Sequence, residues 1–351
     1  MSAPPQAAPI APLAMLFFVV AAAAGAGYAL RALRRRERAR ARERVADLAL
    51  ALREFLEHRL QPAALEAAAA AAEPGTFWAA LESLASRGNG WLPLSRSLAG
   101  CPHLETERQA LRDDSPWRRE LAARRLALLY SPESRRALGA ALREGPALVT
   151  AAAATALARY RDLETLRWLL ANPSALARRT PRARVALLRA FGRQALPDLV
   201  AALLRGTGDA EMDRALIETL GLARAGDARR AIERRLQEGD AEQRIAAARA
   251  LGRLRAEDCV TTLMGALQDE VWQVRAQAAW ALGRTRSGIA LLVLPARLTD
   301  PAWWVRRHAA YAMRDLGPEG RRELELIAHG SPDPYARDMA REALEDRSTA
   351  A

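Results

Sequence analysis

The sequence predicts an all-α fold, a solenoid of stacked helical hairpins preceded by one transmembrane helix, on three observations. A fragment returns every 31 residues across the C-terminal half: Leu220, Leu251, Leu282, Met313 and Leu344 stand 31 apart, as do Gly221, Gly252 and Gly283. Self-similarity at such a period means supersecondary units that bury their apolar faces only by stacking. The apolar spacing within each unit is helical, and no segment alternates with the period of two that a strand requires. Finally, residues 1–30 carry no charge, and Ile10–Leu30 is an almost unbroken apolar run.

From the N-terminus, a short tail (1–8) leads into the candidate span, residues 9–30. At about 1.5 Å per residue an apolar helix of this length covers about 30 Å, the hydrocarbon thickness of a bilayer. The flanking charge is one-sided: eight arginines between Arg31 and Arg44 face two glutamates, Glu37 and Glu43, for a net +6. A secretory signal peptide carries its positive region before the apolar stretch, so an uncleaved anchor is the better match. Basic flanks stay cytoplasmic, which puts the N-terminus outside and the repeats inside. Arg31–Arg44 would also meet anionic lipid headgroups, at roughly 1 kcal/mol per basic residue.

Residues 31–60 continue as a basic juxtamembrane and amphipathic helix. Val45, Leu48, Leu52 and Phe55 follow a 3-4-3 spacing, which suits either docking on the first repeat or a coiled coil continuing into a homodimer. Residues 61–112 are alanine-rich and then punctuated by Gly88, Gly90, Pro93, Gly100 and Pro102, the pattern of an irregular cap or of two helices with a long connection. The solenoid occupies 113–347. In one unit the helix near Val271–Leu282 shows Val274, Ala278, Ala281 and Leu282 on one stripe. A turn follows at Gly283–Gly288, then a second apolar run, Ile289–Leu298, interrupted by Pro295. Asp300 and Pro301 open the next unit.

The segments DEVWQVRAQAAWALGRT and DPAWWVRRHAAYAMRDLG resemble bacterial HEAT-type repeats of the short variety first noticed in phycobilisome lyases. The resemblance is close from about residue 209 onward; Ser115–Leu129 and Thr180–Gly192 look like degenerate copies. It implies a right-handed α-solenoid of HEAT-like hairpins and a structural ladder between repeats, carried here by Asp240, Asp269, Asp300 and Asp333 with Arg244, Arg275, Arg306 and Arg337. It further implies a bacterial inner-membrane protein that organises a protein partner, with membrane glycosyltransferases of exopolysaccharide systems as candidates. A nucleic-acid-binding HEAT-like protein and a lyase-like HEAT enzyme are the alternatives.

The composition narrows these. The net charge is +12, and all 53 basic residues are arginine. Half of the excess is the juxtamembrane cluster, so basicity alone does not argue for nucleic acid. Cys101 and Cys259 lack metal or redox spacing, and His58, His103, His308 and His329 form no HExxH or i, i+4 pair. Phosphate loops and nucleophile motifs are missing, and the glycines are read as helix-end residues. The sequence therefore predicts no catalytic residue, no metal and no cofactor. Its candidate site is a set on the helix face opposite the core stripe: Gln273, Gln277, Trp280 and Arg284, with Trp304, His308, Tyr311 and Tyr335 at equivalent positions in later repeats. Tryptophan, tyrosine and arginine are the residues that dominate interface energetics.

Overall fold

The computed structural model describes residues 10–85, 91–255 and 257–346, leaving aside the side chains of 10–27, 29, 30, 32, 85, 91 and 92. Among the described residues there is no strand, and no helix is long and apolar enough to cross a membrane. Apart from Tyr28, which is exposed, the apolar run read as membrane-spanning, 9–30, lies outside the described side chains; its backbone from Ile10 forms the first part of a long helix. The chain separates into two compact units, 1–113 with 128–134, and 114–127 with 135–351.

The first unit holds α1 (Ile10–Leu56), α2 (Pro62–Ala71), α3 (Pro74–Ala85), α4 (Trp91–Ser97) and α5 (Pro102–Ala110). The last turns of α1 pack on α2, α3 and α4, burying Leu48, Ala49 and Leu52 and half-burying Val45 and Phe55. The 3-4-3 stripe is thus spent inside its own unit, on helices where the sequence left open an irregular cap or two helices with a long connection. The stretch 61–112 gave no helical face because α2 is nearly all alanine, which marks no side as buried. Its core is aromatic: Phe77 and Trp78 meet edge to face at 4.9 Å, and the His103 ring lies 4.7 Å from Phe77. A 3.2 Å contact from His103 Nε2 to the Ala69 carbonyl ties α5 to α2.

The second unit is an all-helical stack of hairpins. Its helices are α6 (Pro116–Leu126), α7 (Pro132–Glu144, whose first residues belong to the first unit), α8 (Ala147–Arg159), α9 (Leu163–Ala171), α10 (Pro181–Ala190), α11 (Leu196–Arg205), α12 (Ala210–Leu222), α13 (Arg229–Glu238), α14 (Ala241–Leu254), α15 (Val260–Ala266), α16 (Trp272–Thr285), α17 (Trp303–Asp315), α18 (Pro318–Gly330) and α19 (Pro334–Glu345). One row of neighbours runs α6, α8, α10, α12, α14, α16, α17, α19; α11, α13 and α15 form part of a second row. The 31-residue leucine series is the core of the first row: Leu220, Leu251, Leu282 and Met313 are fully buried.

The glycine series serves close helix approach, as small residues at 278, 279 and 283 suggest in the sequence, rather than helix ends. Gly221, Gly252 and Gly283 lie inside α12, α14 and α16 with ordinary helical backbone. Each marks the closest approach of a helix to its successor. A Cβ on Gly221 would lie 2.6 Å from Ala250 Cβ, and one on Gly283 would lie 2.7 Å from Ala312 Cα. On Gly252 it would meet the Trp280 ring at 2.5 Å and Ala281 Cα at 3.0 Å. Real Cβ atoms do not come this close, so the spacing of the stack depends on hydrogen at these three positions.

The second apolar run of the unit, Ile289–Leu298, is not an α-helix. It forms two 3₁₀ turns, Gly288–Leu292 and Pro295–Thr299. Pro295 has no N–H to continue an i→i−4 ladder, and the backbone breaks at Val293, with φ −124°. Only Ala290, Leu294 and Leu298 are buried, while Ile289 and Leu292 face solvent. Pro301 likewise precedes the helix rather than opening it, because α17 starts at Trp303.

Candidate binding groove

The arginine–aspartate ladder is shorter than the sequence suggests. Arg244 grips Asp269 with two bonds of 2.8 and 3.0 Å, and Arg275 grips Asp300 with 2.8 and 2.9 Å, each spanning 25 residues to the start of the next repeat. Burial would push the Asp300 carboxyl up, but the bonds from Arg275 and the Ala302 N–H, with the Arg275 charge, hold it below its usual value. The series then breaks, because 25 residues beyond Arg306 stands Ser331. Arg306 instead lies 5.0 Å over the Tyr335 ring. The role all four arginines share is within their own repeat. Each donates to a carbonyl of the loop before its helix: Gly239, Asp269, Asp300 and Ser331. Asp240 and Asp333 serve as N-caps, accepting from Gln243 N and from the Tyr335 and Ala336 N–H groups.

The other face of the same helices forms a groove of about 330 Å³ lined by Arg224, Arg249, Arg253, Gln277, Trp280, Arg284 and His308. Helical periodicity builds it. Arg249 and Arg253 are one turn apart on α14, and so are Gln277, Trp280 and Arg284 on α16; α17 supplies His308. The close glycine contacts bring the three helices together, and the half-buried Trp280 sits where a Gly252 side chain would be. The Arg284 guanidinium lies 5.8 Å from the Trp280 ring centre. The Gln277 amide oxygen accepts a long 3.5 Å contact from Arg249 Nε. His308 Nδ1 lies 2.9 Å from the Ala276 carbonyl; a carbonyl only accepts, so Nδ1 carries the proton. Burial, helped by Arg307, holds the His308 ring below the usual histidine range despite that carbonyl.

Of the residues predicted as a partner surface, Gln277, Trp280, Arg284 and His308 thus converge. Gln273 is half-buried one turn before Gln277 and does not line the groove. Trp304 and Tyr335 are 48% and 63% exposed; Trp304 meets Trp303 edge to face at 4.7 Å. Tyr311 is engaged within the stack: its hydroxyl donates to Glu342, and Arg307 and Arg314 lie 4.4 and 4.6 Å from its ring centre. The sequence reading missed Arg224 and Arg253. Arg224 belongs to a 31-residue series, Arg224, Arg255 and Arg286, that is visible in the sequence.

Both cysteines are free and buried. Burial, reinforced by the nearby Glu233, pushes the Cys259 thiol up to about 12; burial also raises Cys101, against a backbone hydrogen bond from His103. Neither thiol is a nucleophile near neutral pH. A maleimide probe at pH 8 should label Cys259 only after unfolding, and fast labelling of the folded protein would overturn this placement. Among the described residues no group of three or more His, Cys, Asp or Glu side chains is arranged to hold a metal ion.

The sequence profile of HEAT repeats matches residues 196–283, 228–314 and 266–345. Residues 196–345 carry HEAT repeats. The same row of neighbouring helices continues upstream through α10, α8 and α6. Among solved structures, the chain is similar to Kap121p bound to Pho4p, with 14% identity over 86% of this chain and 39% of that one, and a TM-score of 0.51. It is also similar to an engineered protein (18% identity, 81% of this chain and 88% of that one, TM-score 0.38) and to human deoxyhypusine hydroxylase (20%, 79% and 96%, TM-score 0.33). At these identities the likeness is one of fold alone. No curated protein matches the chain.

Proposed function

We propose that this protein is a membrane-anchored HEAT-repeat adaptor that holds a protein partner in the groove around Trp280, at the cytoplasmic face of a bacterial inner membrane. The observation that carries the binding role is the convergence of an aromatic ring, an amide and arginines in one groove on a stack of helices. This is the composition of interface hot spots, held on a rigid frame. Kap121p, the HEAT-like relative in fold, is itself seen bound to a protein, Pho4p. The anchor rests on the uncharged residues 1–30 and on the eight arginines from Arg31 to Arg44, whose side chains are all exposed on α1. Membrane glycosyltransferases are candidate partners, and pairing of two copies through the span fits the same reading. The competing reading, a nucleic-acid binder, draws on the same arginines.

Two measurements test this. A cytoplasm-dependent reporter fused after Ala351 should be active and alkaline phosphatase at the same point inactive; high phosphatase activity there would overturn the topology. Affinity purification of the full-length protein from detergent-solubilised membranes should retain a partner that Trp280→Ala loses. A hot-spot aromatic contributes about 2 kcal/mol, roughly thirtyfold in affinity. A Trp280→Ala protein that keeps its unfolding temperature and still retains every partner would place the surface elsewhere.

A further inference from the structure

We infer that the groove recognises a short acidic peptide segment of its partner, with carboxylates on Arg224, Arg253, Arg255 and Arg284 and an apolar side chain against Trp280. The inference rests on the adaptor reading and specifies its chemistry.

Several arginines elsewhere in the second unit are matched with acids: Arg184 with Asp209, Arg214 with Glu218 and Glu242, Arg235 with Asp213, Arg244 with Asp269, Arg275 with Asp300. Others, such as Arg182, Arg189, Arg205 and Arg337, are not, but they do not line this groove. At the groove such arginines stand together, close enough to repel one another. Among the described residues, Arg224, Arg249, Arg253, Arg255, Arg284 and Arg286 have no carboxylate within ion-pair distance. The cluster repels itself: the charge of Arg284, then partial burial, then Arg224 and Arg286 lower the proton affinity of Arg255. Burial and the Arg249 charge do the same at Arg253, against Glu218. Gathering like charges without counter-charges is unfavourable for the free protein and favourable for an anionic ligand.

The backbone adds a second signature. Arg224, Arg255 and Arg286 follow α12, α14 and α16 at the same register, with φ of 50°, 53° and 59°. A left-handed residue at a helix end is ordinarily glycine; an arginine there carries a cost of about 1 kcal/mol. At the equivalent place after α17 the residue is Gly317, φ 99°. A fourth left-handed arginine, Arg161 with φ 56°, follows α8 away from the groove, so what marks the groove is the run of three in successive layers.

The extent of the positive stretch selects the ligand. By the 31-residue register, Arg249 and Trp280 are preceded by Glu218 and followed by Tyr311 and Glu342, while Arg253 and Arg284 are followed by Asp315 and Asp346. Those acids are already held by Arg214, Arg307 and Arg314. Unmatched positive charge thus covers three helix layers, about 20 Å at 8–10 Å per layer. That length accommodates about six extended residues. A DNA duplex places one charge every 1.7 Å of axis, so about twelve phosphates would meet six arginines and then run onto the flanking carboxylates.

The test uses the full-length protein in lipid nanodiscs and three fluorescent probes: a Glu-rich peptide with one central Phe, the same peptide with Gln for every Glu, and a duplex DNA. The Glu peptide should bind with steep salt dependence and the Gln peptide should not. Arg224 and Arg255 are exposed, so Arg224→Glu with Arg255→Glu leaves the fold intact and should weaken the Glu peptide about tenfold or more. Arg255→Gly, which relieves the backbone, separates loss of charge from loss of structure and should weaken binding while raising the unfolding temperature. Equal binding of the Gln peptide, tighter binding of DNA than of the Glu peptide, or an unchanged affinity in the charge-reversed protein would each overturn the inference. A partner from membranes that is lost with Trp280→Ala but kept by the charge-reversed protein would sink the acidic segment and leave the adaptor standing. A Glu peptide that binds as expected, with no membrane partner retained, would do the reverse.

Discussion

Gly283→Ala should destabilise the second unit by about 1–3 kcal/mol, the usual range for forcing an extra group into a packed contact. The added methyl would sit 2.7 Å from Ala312 Cα and 2.8 Å from its Cβ. Neither atom is the end of a flexible chain, so α16 and α17 must separate. Gly221→Ala, against Ala250, should behave alike. Gly252→Ala should cost less, because its nearest contact is the edge of the Trp280 ring, which can rotate away. The comparison that isolates the cause is Gly265→Ala on α15, where a Cβ meets nothing within 4 Å. There alanine should stabilise by about 0.5–1 kcal/mol through helix propensity and unfolded-state entropy. Chemical denaturation of the four variants checks this; a Gly283→Ala protein as stable as wild type would show that the helices are not in close contact.

Asp300→Ala should cost about 3 kcal/mol. Asp300 is only 6% exposed, and its removal leaves the largely covered Arg275 guanidinium without its two-bond partner. Breaking a buried pair in this way typically costs 3–5 kcal/mol. Arg275 keeps the Asp269 and Glu270 carbonyls, which places the loss at the low end. Asp269→Ala should cost less, about 1–2 kcal/mol, since the Arg244 pair is more open to water. The pH dependence follows from the lowered carboxyl of Asp300. A depressed folded-state value means its contribution is full above the unfolded value, about 4, and is lost as pH falls through the folded one. Asp300→Asn should therefore flatten the acid limb of the stability curve below about pH 4 and leave its neutral-to-basic limb unchanged in shape. A wild-type acid limb in that variant would overturn the assignment.

The parts of this fold written at fixed spacing were legible in the sequence. Leu220, Leu251, Leu282 and Met313 announce a core row because burial repeats with the unit. The face carrying Gln277, Trp280, Arg284 and His308 followed from placing one helix on a wheel and advancing by 31. What stayed hidden depends on distance or on backbone conformation. Gly283 in a sequence is equally a helix end or a close approach, and only the position of Ala312 decides. Arg255 gives no sign of its left-handed backbone, because the local signal for that conformation is glycine. Residues 62–71 hid their buried face for the opposite reason: a run of alanines is helical on every side and so points to none.

The two 3₁₀ turns of 288–299 set how the second unit bends. A solenoid with two rows of helices resists bending as a beam does, one row in compression while the other is stretched, and it yields where one row is thin. Between α15 and α18 one row consists of short turns with poorer hydrogen-bond geometry than an α-helix, facing α16 and α17, which lie in close contact. Changes of curvature should concentrate there, at the joint between the helix that carries Trp280 and the helix that carries His308. The amides of 288–299 should accordingly exchange with solvent ahead of those in α16 and α17, which makes hydrogen exchange a gauge of how far the groove opens.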